Sequence, residues 1–153
     1  MKLTDHFSLE EFLESQVATR YDIDMTPDEK VLKNLTRLAW RLEDVRAAVG
    51  KPIIITSGYR PWVLNKIIGG APNSAHIDGR AADIVVMSKV WTPYDVAERI
   101  VSADIVFDKV ILEFGRWVHF QIEPEGETPR RLVFTAVKEK DGTKYVPGLK
   151  KEA

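Results

Sequence analysis

Apolar residues first recur at helical spacing around Leu9, Phe12 and Leu13, behind Ser8 with Glu11 three residues on. This capping-box pattern predicts a short helix over residues 8–16. A longer stripe follows: Thr26-Pro27-Asp28-Glu29 offers a cap residue, a proline at the first helical position and an early glutamate. Leu32, Leu35, Leu38, Ala39, Leu42, Val45 and Val49 then keep one face apolar until Gly50. Trp40 on this helix reads as core or groove wall. The β-branched run from Pro52 to Thr56 predicts a buried strand that delivers the chain into Ser57-Gly58-Tyr59-Arg60. Residues 65–73, with Gly69-Gly70 and Pro72, fit no regular element and are expected to form an irregular surface loop. Ala81 to Met87 reads as a strand, and Thr92-Pro93-Tyr94-Asp95 as the start of a helix reaching about Ser102. Asp108 to Phe114 and Trp117 to Ile122 are strands flanking a Gly115-Arg116 hairpin. Residues 131–138 and 144–146 flank Asp141-Gly142, a type I′ hairpin signal. The charged tail over 148–153 is expected to fray. Helices first, then strands broken by one helix, is the order of an α+β fold.

Composition narrows the function classes. At 153 residues the chain is expected to form one domain. Its formal net charge is −1 with both signs interspersed, so it lacks the basic field that nucleic-acid binding needs. Without cysteine there is no disulfide, no thiolate zinc site and no cysteine nucleophile, and any metal must be held by His, Asp or Glu. Met1 to Phe7 lacks the apolar core of a signal peptide, and no later stretch is long enough to span a bilayer. Synthesis in the cytoplasm is expected.

The candidate chemistry centres on Ser74-Ala75-His76-Ile77-Asp78-Gly79-Arg80-Ala81-Ala82-Asp83-Ile84, which sets an imidazole and a carboxylate seven residues apart across a glycine. A zinc ion that activates water takes three nitrogen or oxygen ligands and keeps one position open. A turn at Asp78-Gly79 would bring Asp83, on one face of a strand, beside His76. The third ligand must come from elsewhere, and His6 and His119 are the remaining histidines. His119 lies in a strand-like run, whereas His6 at the chain start reads as solvated or part of a helix cap. Arg60, just past a strand end, is either a surface ion pair, which local sequence favours, or a guanidinium fork for a substrate carboxylate. Asp78 and Asp108 read as turn or supporting groups. Glu113 shares a face with His119 if the hairpin loop between their strands has an odd number of residues, a parity the sequence leaves open.

Ser57-Gly58-Tyr59-Arg60, Asn65, Gly69-Gly70, the stretch from Ser74 to Ile84, Glu113 and Trp117-Val118-His119 together resemble the zinc D-Ala-D-Ala carboxypeptidase family, peptidase M15, over roughly residues 5 to 125. The chain looks most like the small single-domain members found in phage and prophage genomes. The resemblance implies the fold shared with the Hedgehog signalling domain, a central antiparallel sheet with helices packed against it. It implies zinc held by His76, Asp83 and His119, with Arg60 on a substrate's terminal carboxylate and Ser74 near the scissile group. The implied substrate is a peptidoglycan stem peptide, cut at D-Ala-D-Ala or at L-Ala-D-Glu, with action at the cell wall after release. One departure stands out: many relatives carry the catalytic acid three residues before the last histidine, where this chain has Arg116. Glu113 is then either a displaced general base or a rim residue of a damaged site. The competing reading is a non-catalytic zinc-containing module that binds a cell-wall peptide or a partner protein.

Overall fold

The computed structural model describes residues 1–151. Helices α1 (Leu9–Leu13), α2 (Gln16–Arg20) and α3 (Glu29–Val49) precede strand β1 (Ile53–Ser57). Helix α4 (Trp62–Ile68) and a 3-10 turn (Ala75–Asp78) lead to β2 (Ala81–Val86), and α5 (Pro93–Ser102) precedes β3 (Lys109–Glu113), β4 (Trp117–Gln121), β5 (Leu132–Glu139) and β6 (Gly142–Pro147). The six strands form one sheet in the order β1-β2-β4-β3-β5-β6. Every neighbouring pair is antiparallel except β3 and β5, so the α+β architecture holds with a mixed sheet.

Alternation along the strands gives the sheet two unlike faces. One presents Ala82, Ile84, Val110, Leu112, Val118 and Phe120, all buried in a single cluster with Leu35, Leu38, Leu42 and Val45 of α3 and Val96, Ala97 and Ile100 of α5. Burial of each large apolar side chain stabilises by roughly 1.5–3 kcal/mol, which is why these helices cover that face. The other face carries Asp83, His119, Gln121, Glu113 and Lys109, and it opens on a cleft.

Helix α3 starts two residues later than its proline suggests, because Asp28 is the cap and accepts from the Val31 amide at 2.8 Å. The buried stripe accordingly begins at Val31, with Leu32 only half-buried. Gly50, at φ 72°, ends the helix as expected. Trp40 is neither core nor groove wall: it is 60% exposed, because at 100° per residue it falls opposite the stripe.

Three local expectations are corrected. Residues 65–68 belong to α4, stopped by Gly69 in the left-handed region at φ 83°; Trp62, Val63, Ile67 and Ile68 are exposed, so the helix has no buried periodicity to betray it. The first helix ends at Leu13, and Ser15 caps a separate short helix by accepting from the Ala18 amide. The β5–β6 hairpin forms, but neither Lys140 nor Asp141 has positive φ, so its turn is not type I′.

The tail to Lys151 is docked. Thr135 Oγ1 donates to the Gly148 carbonyl and accepts from the Lys150 amide, both at 2.8 Å, and Leu149 packs on the core. The remaining two residues of the tail lie outside the described part.

The crossover from β4 to β5 is held by two buried carboxylates. Glu123 takes Arg37 and Arg41 of α3 at 2.7–3.0 Å, and Asp108 takes the Arg130 fork at 2.7 and 3.0 Å together with the Arg130 amide. Asp108 is 1% exposed, and the Arg130 hydrogen bonds hold its pKa down to about 2, against an ordinary 3.8. A folded pKa below the unfolded one means the pair stabilises fully above about pH 4 and loses its effect as pH falls through about 2. Discounted for the exposed Arg130 partner, its size is about 1–2 kcal/mol. Asp108→Asn is therefore expected to cost that much at pH 7, with the difference from the parent vanishing between about pH 4 and 2. Urea unfolding across that range checks it, and a pH-independent difference would deny the charge a role.

Candidate metal centre

The site is built on register. Asp83 of β2 lies directly opposite His119 of β4, and both point to the open face of the sheet. His76 comes from the 3-10 turn. Ser74 Oγ caps that turn by accepting from the His76 amide at 3.2 Å, and Asn34 of α3 donates to the Asp78 carbonyl at 2.8 Å. Gly79 closes the turn at φ 79°, where a Cβ would sit 3.0 Å from the Val31 carbonyl and 3.2 Å from the Leu35 side chain. Only glycine combines that dihedral with so close an approach to α3.

The three side chains are buried, and their ligating atoms lie within 4.8 Å of one another. Asp83 Oδ1 stands 3.3 Å from His76 Nε2 and 3.3 Å from His119 Nδ1, yet it has no hydrogen-bond partner among the described residues. Both imidazoles are oriented from behind. His76 Nδ1 meets the Gly58 carbonyl at 2.8 Å, which can only accept, so the proton sits on Nδ1 and Nε2 turns a lone pair inward. For His119 the constraint is relayed: the Asp108 carboxylate accepts from Gln121 Nε2 at 3.1 Å, which turns Gln121 Oε1 toward His119 Nε2 at 2.9 Å. That nitrogen must donate, and Nδ1 presents its lone pair to Asp83.

Three lone pairs therefore converge in a buried space with no proton donor between them. Such an arrangement is repulsive unless a cation occupies it, and two imidazole nitrogens with one carboxylate oxygen suit a zinc-like ion with a fourth position left open. Where no ion is bound, the Asp83 charge draws a proton to this point instead. Burial opposes ionisation of Asp83, but the two imidazoles hold its pKa well below the usual carboxylate range. Burial lowers the pKa of His76, whereas at His119 the Asp83 contacts outweigh burial and raise it.

The other expected site residues fall around this group, and His6, read as outside the site, takes no part, with its Nδ1 2.7 Å from Glu43 Oε1. Arg60 is neither a surface ion pair nor a free fork. Its Nη2 donates to Asp83 Oδ2 at 3.1 Å, its Nε to Ser57 Oγ at 3.0 Å, and its Nη1 lies 3.4 Å from Asn65 Oδ1. The hairpin loop is Phe114-Gly115-Arg116, three residues, so Glu113 pairs with Trp117 and His119 with Ile111. The odd parity sets Glu113 on the face of His119, one diagonal step away, a separation of roughly 7–8 Å between backbones. Burial and the Asp83 charge push the Glu113 pKa up. Arg116 is exposed at the loop tip.

His76, Asp83, His119, Arg60 and Glu113 open into one cleft of about 950 Å³. Ser74, Arg60 and the Gly69-Gly70 segment line one side, and Phe114, Trp117, Phe134 and Tyr145 the other. Sequence reasoning passed over Gln121 and Lys109, although Trp117, His119 and Gln121 stand at the period of two that marks one strand face.

Comparison with known proteins agrees with this geometry. A segment of 46 residues, 29% of this chain, is 46% identical to a zinc D-Ala-D-Ala carboxypeptidase of Streptomyces albus G. The match spans only 18% of that relative's length. The sequence profile of the family described as Peptidase M15 matches residues 5–121, a segment that holds His76, Asp83, Glu113 and His119. With most of its length matched, and with the ligand-competent group inside the match, this chain belongs to the peptidase M15 family.

Proposed function

We propose that the chain is a single-domain zinc metallopeptidase that hydrolyses an amide bond in peptidoglycan stem peptides, of the D-Ala-D-Ala or the L-Ala-D-Glu type. The observation that carries this reading is the convergence of the His76, Asp83 and His119 lone pairs on a buried point at the floor of a cleft. The name of the Streptomyces relative and the family membership support the metal and the substrate class.

In this assignment His76, Asp83 and His119 hold the ion. Zinc bound there supplies Lewis acidity toward a carbonyl oxygen and acidifies water. The protein does the remainder. Gly58 and Gln121 fix the imidazole tautomers, and Arg60 engages Asp83 Oδ2 so that Oδ1 stays turned to the histidines. Because Asp83 takes one arm of its fork, while Ser57 and Asn65 engage two further donors, Arg60 is assigned to orienting Asp83 rather than to a bidentate grip on a substrate carboxylate. Glu113 is the general base: it takes a proton from the attacking water and returns it to the leaving nitrogen. Ser74 lies on the cleft wall beside the scissile group while capping the turn that carries His76.

The purified protein is expected to take up about one equivalent of zinc by elemental analysis, and His119→Ala to lose most of it, since removing one of three ligands weakens binding steeply. Undiminished uptake in that variant would reject the ligand set.

Glu113→Gln keeps size and shape but cannot accept the proton. It is expected to lower kcat on a stem pentapeptide by on the order of a hundredfold or more, with zinc content unchanged. Full activity would give the base role to another group. A zinc-loaded parent protein that releases no amine from either bond would replace the peptidase by a binding module.

A further inference from the structure

β3 carries one more ionisable group on the site face, and the chemistry above does not use it. Along that face the strand presents Glu113, Ile111 and Lys109, with Ile111 opposite His119 and Lys109 opposite Gln121. At about 3.4 Å per residue, Lys109 stands about 7 Å along the strand from the level of the metal centre, on the side away from Glu113. The side chain is half-buried and lines the same cleft.

The charges around it are unevenly matched. Arg130 is bound to Asp108, and Arg80 to Asp78 at 2.8 Å and to the Ile122 carbonyl at 3.1 Å. Glu127 is exposed at the rim of the cleft beside Arg130. Lys109 has no ion-pair partner among the described residues. Burial, and after it the Arg130 charge, lowers its pKa from the ordinary lysine value, and the Asp108 charge, already taken by Arg130, offsets them only in part. What faces it is open cleft, with Phe134 of β5, from beyond the residues the family profile covers, one diagonal step away.

Resting on the peptidase reading, we propose that Lys109 is the substrate anchor of the cleft, binding the carboxylate on the residue that leaves as the amine. Both candidate bonds carry one there: the α-carboxylate of D-glutamate after L-Ala-D-Glu, and the C-terminal carboxylate after D-Ala-D-Ala. The distance suits a lysine side chain reaching toward the ligand group, and the role falls to Lys109 because, unlike Arg60, which is paired with Asp83, it is bound to no carboxylate among the described residues.

The test uses the zinc-loaded full chain and the stem pentapeptide L-Ala-γ-D-Glu-L-Lys-D-Ala-D-Ala. Two analogues convert either the D-glutamate α-carboxylate or the C-terminal carboxylate to its primary amide. Amidation next to the bond cleaved is expected to lower kcat/KM about tenfold to a hundredfold, mainly through KM, and amidation at the remote carboxylate to change little. Lys109→Met, with circular dichroism showing a folded chain, is expected to reproduce that loss on the free carboxylate and to add none on the amide, and Lys109→Arg to restore most of it. Equal losses on carboxylate and amide, or an unaffected Lys109→Met, would overturn the assignment. If the parent protein cleaves neither bond, the peptidase reading fails separately. Calorimetric titration with the same three peptides then decides the anchor: Lys109→Met must weaken binding of the pentapeptide about tenfold and leave one amidated analogue unaffected.

Discussion

The antiparallel register of β2 against β4 is the constraint on which the site depends. Because side chains alternate along a strand, a slip of one residue would carry Asp83 to the core face and bring Ala82 or Ile84 into the cleft. The apolar face forbids this: Ala82, Ile84, Val118 and Phe120 are all fully buried in the cluster under α3 and α5. Packing on one side of the sheet thus determines the chemistry on the other. A bulge in β1 makes the same kind of adjustment. Ile55 pairs with Ile84, but Ser57 rather than Thr56 pairs with Asp83, and Ser57 then holds Arg60 beside the carboxylate.

Burying two histidines, an aspartate and a glutamine on the open face is unfavourable unless each polar atom finds a partner. The structure meets most of that demand by extending the network outward, from His119 through Gln121 to Asp108 and from Asp108 to the half-exposed Arg130. Each link dictates the proton position of the next, so a buried carboxylate paired with an arginine that reaches solvent sets the tautomer of a buried imidazole. Asp83 Oδ1 is left unsatisfied beside two inward lone pairs, and it is this remaining demand that selects a cation.

Much of this was legible in the sequence, and the misses have physical causes. α3 and α5 carry strong periodicity because each buries one face, and β1, β2, β3 and β4 stand out as apolar, β-branched runs, although β1 is an edge strand with Ile54 exposed and not the buried strand expected. α4 escaped because all its apolar residues but Leu64 are exposed, and α2 because five residues are too few to show a period. The parallel partner of β3 is set by a crossover tied down through Glu123 and Asp108, contacts between residues far apart in the chain that no local window reports. His76 and Asp83 were readable together because a single turn joins them, whereas choosing His119 over His6 needed the strand pattern and the family resemblance. The side of the sheet taken by Glu113 stayed open for a specific reason. The loop turns through Phe114 and Gly115, both left-handed at φ 56° and 67°, and a bulky phenylalanine does not advertise that conformation.

That strained phenylalanine also connects the metal centre with the rest of the cleft. Its ring packs edge-on against Trp117, with centroids 5.7 Å apart, so the turn that places Glu113 also builds the adjoining wall. The rest of that wall is made differently. β5 joins β3 through backbone pairing, with Phe134 level with Ile111, and β6 sets Tyr145 opposite Ala136. Backbone hydrogen bonds accept many side chains, so residues 132–147 can change the shape of the cleft without moving β2 or β4. The reverse does not hold, since altering Ile84 or Phe120 disturbs the register that brings Asp83 to His119. All three ligand-competent residues, and the turn and strands that carry them, lie within residues 5–121; β5 and β6 contribute walls and no member of that group. The fold thus separates a segment in which core packing and metal geometry are inseparable from one in which the shape of the cleft can vary alone.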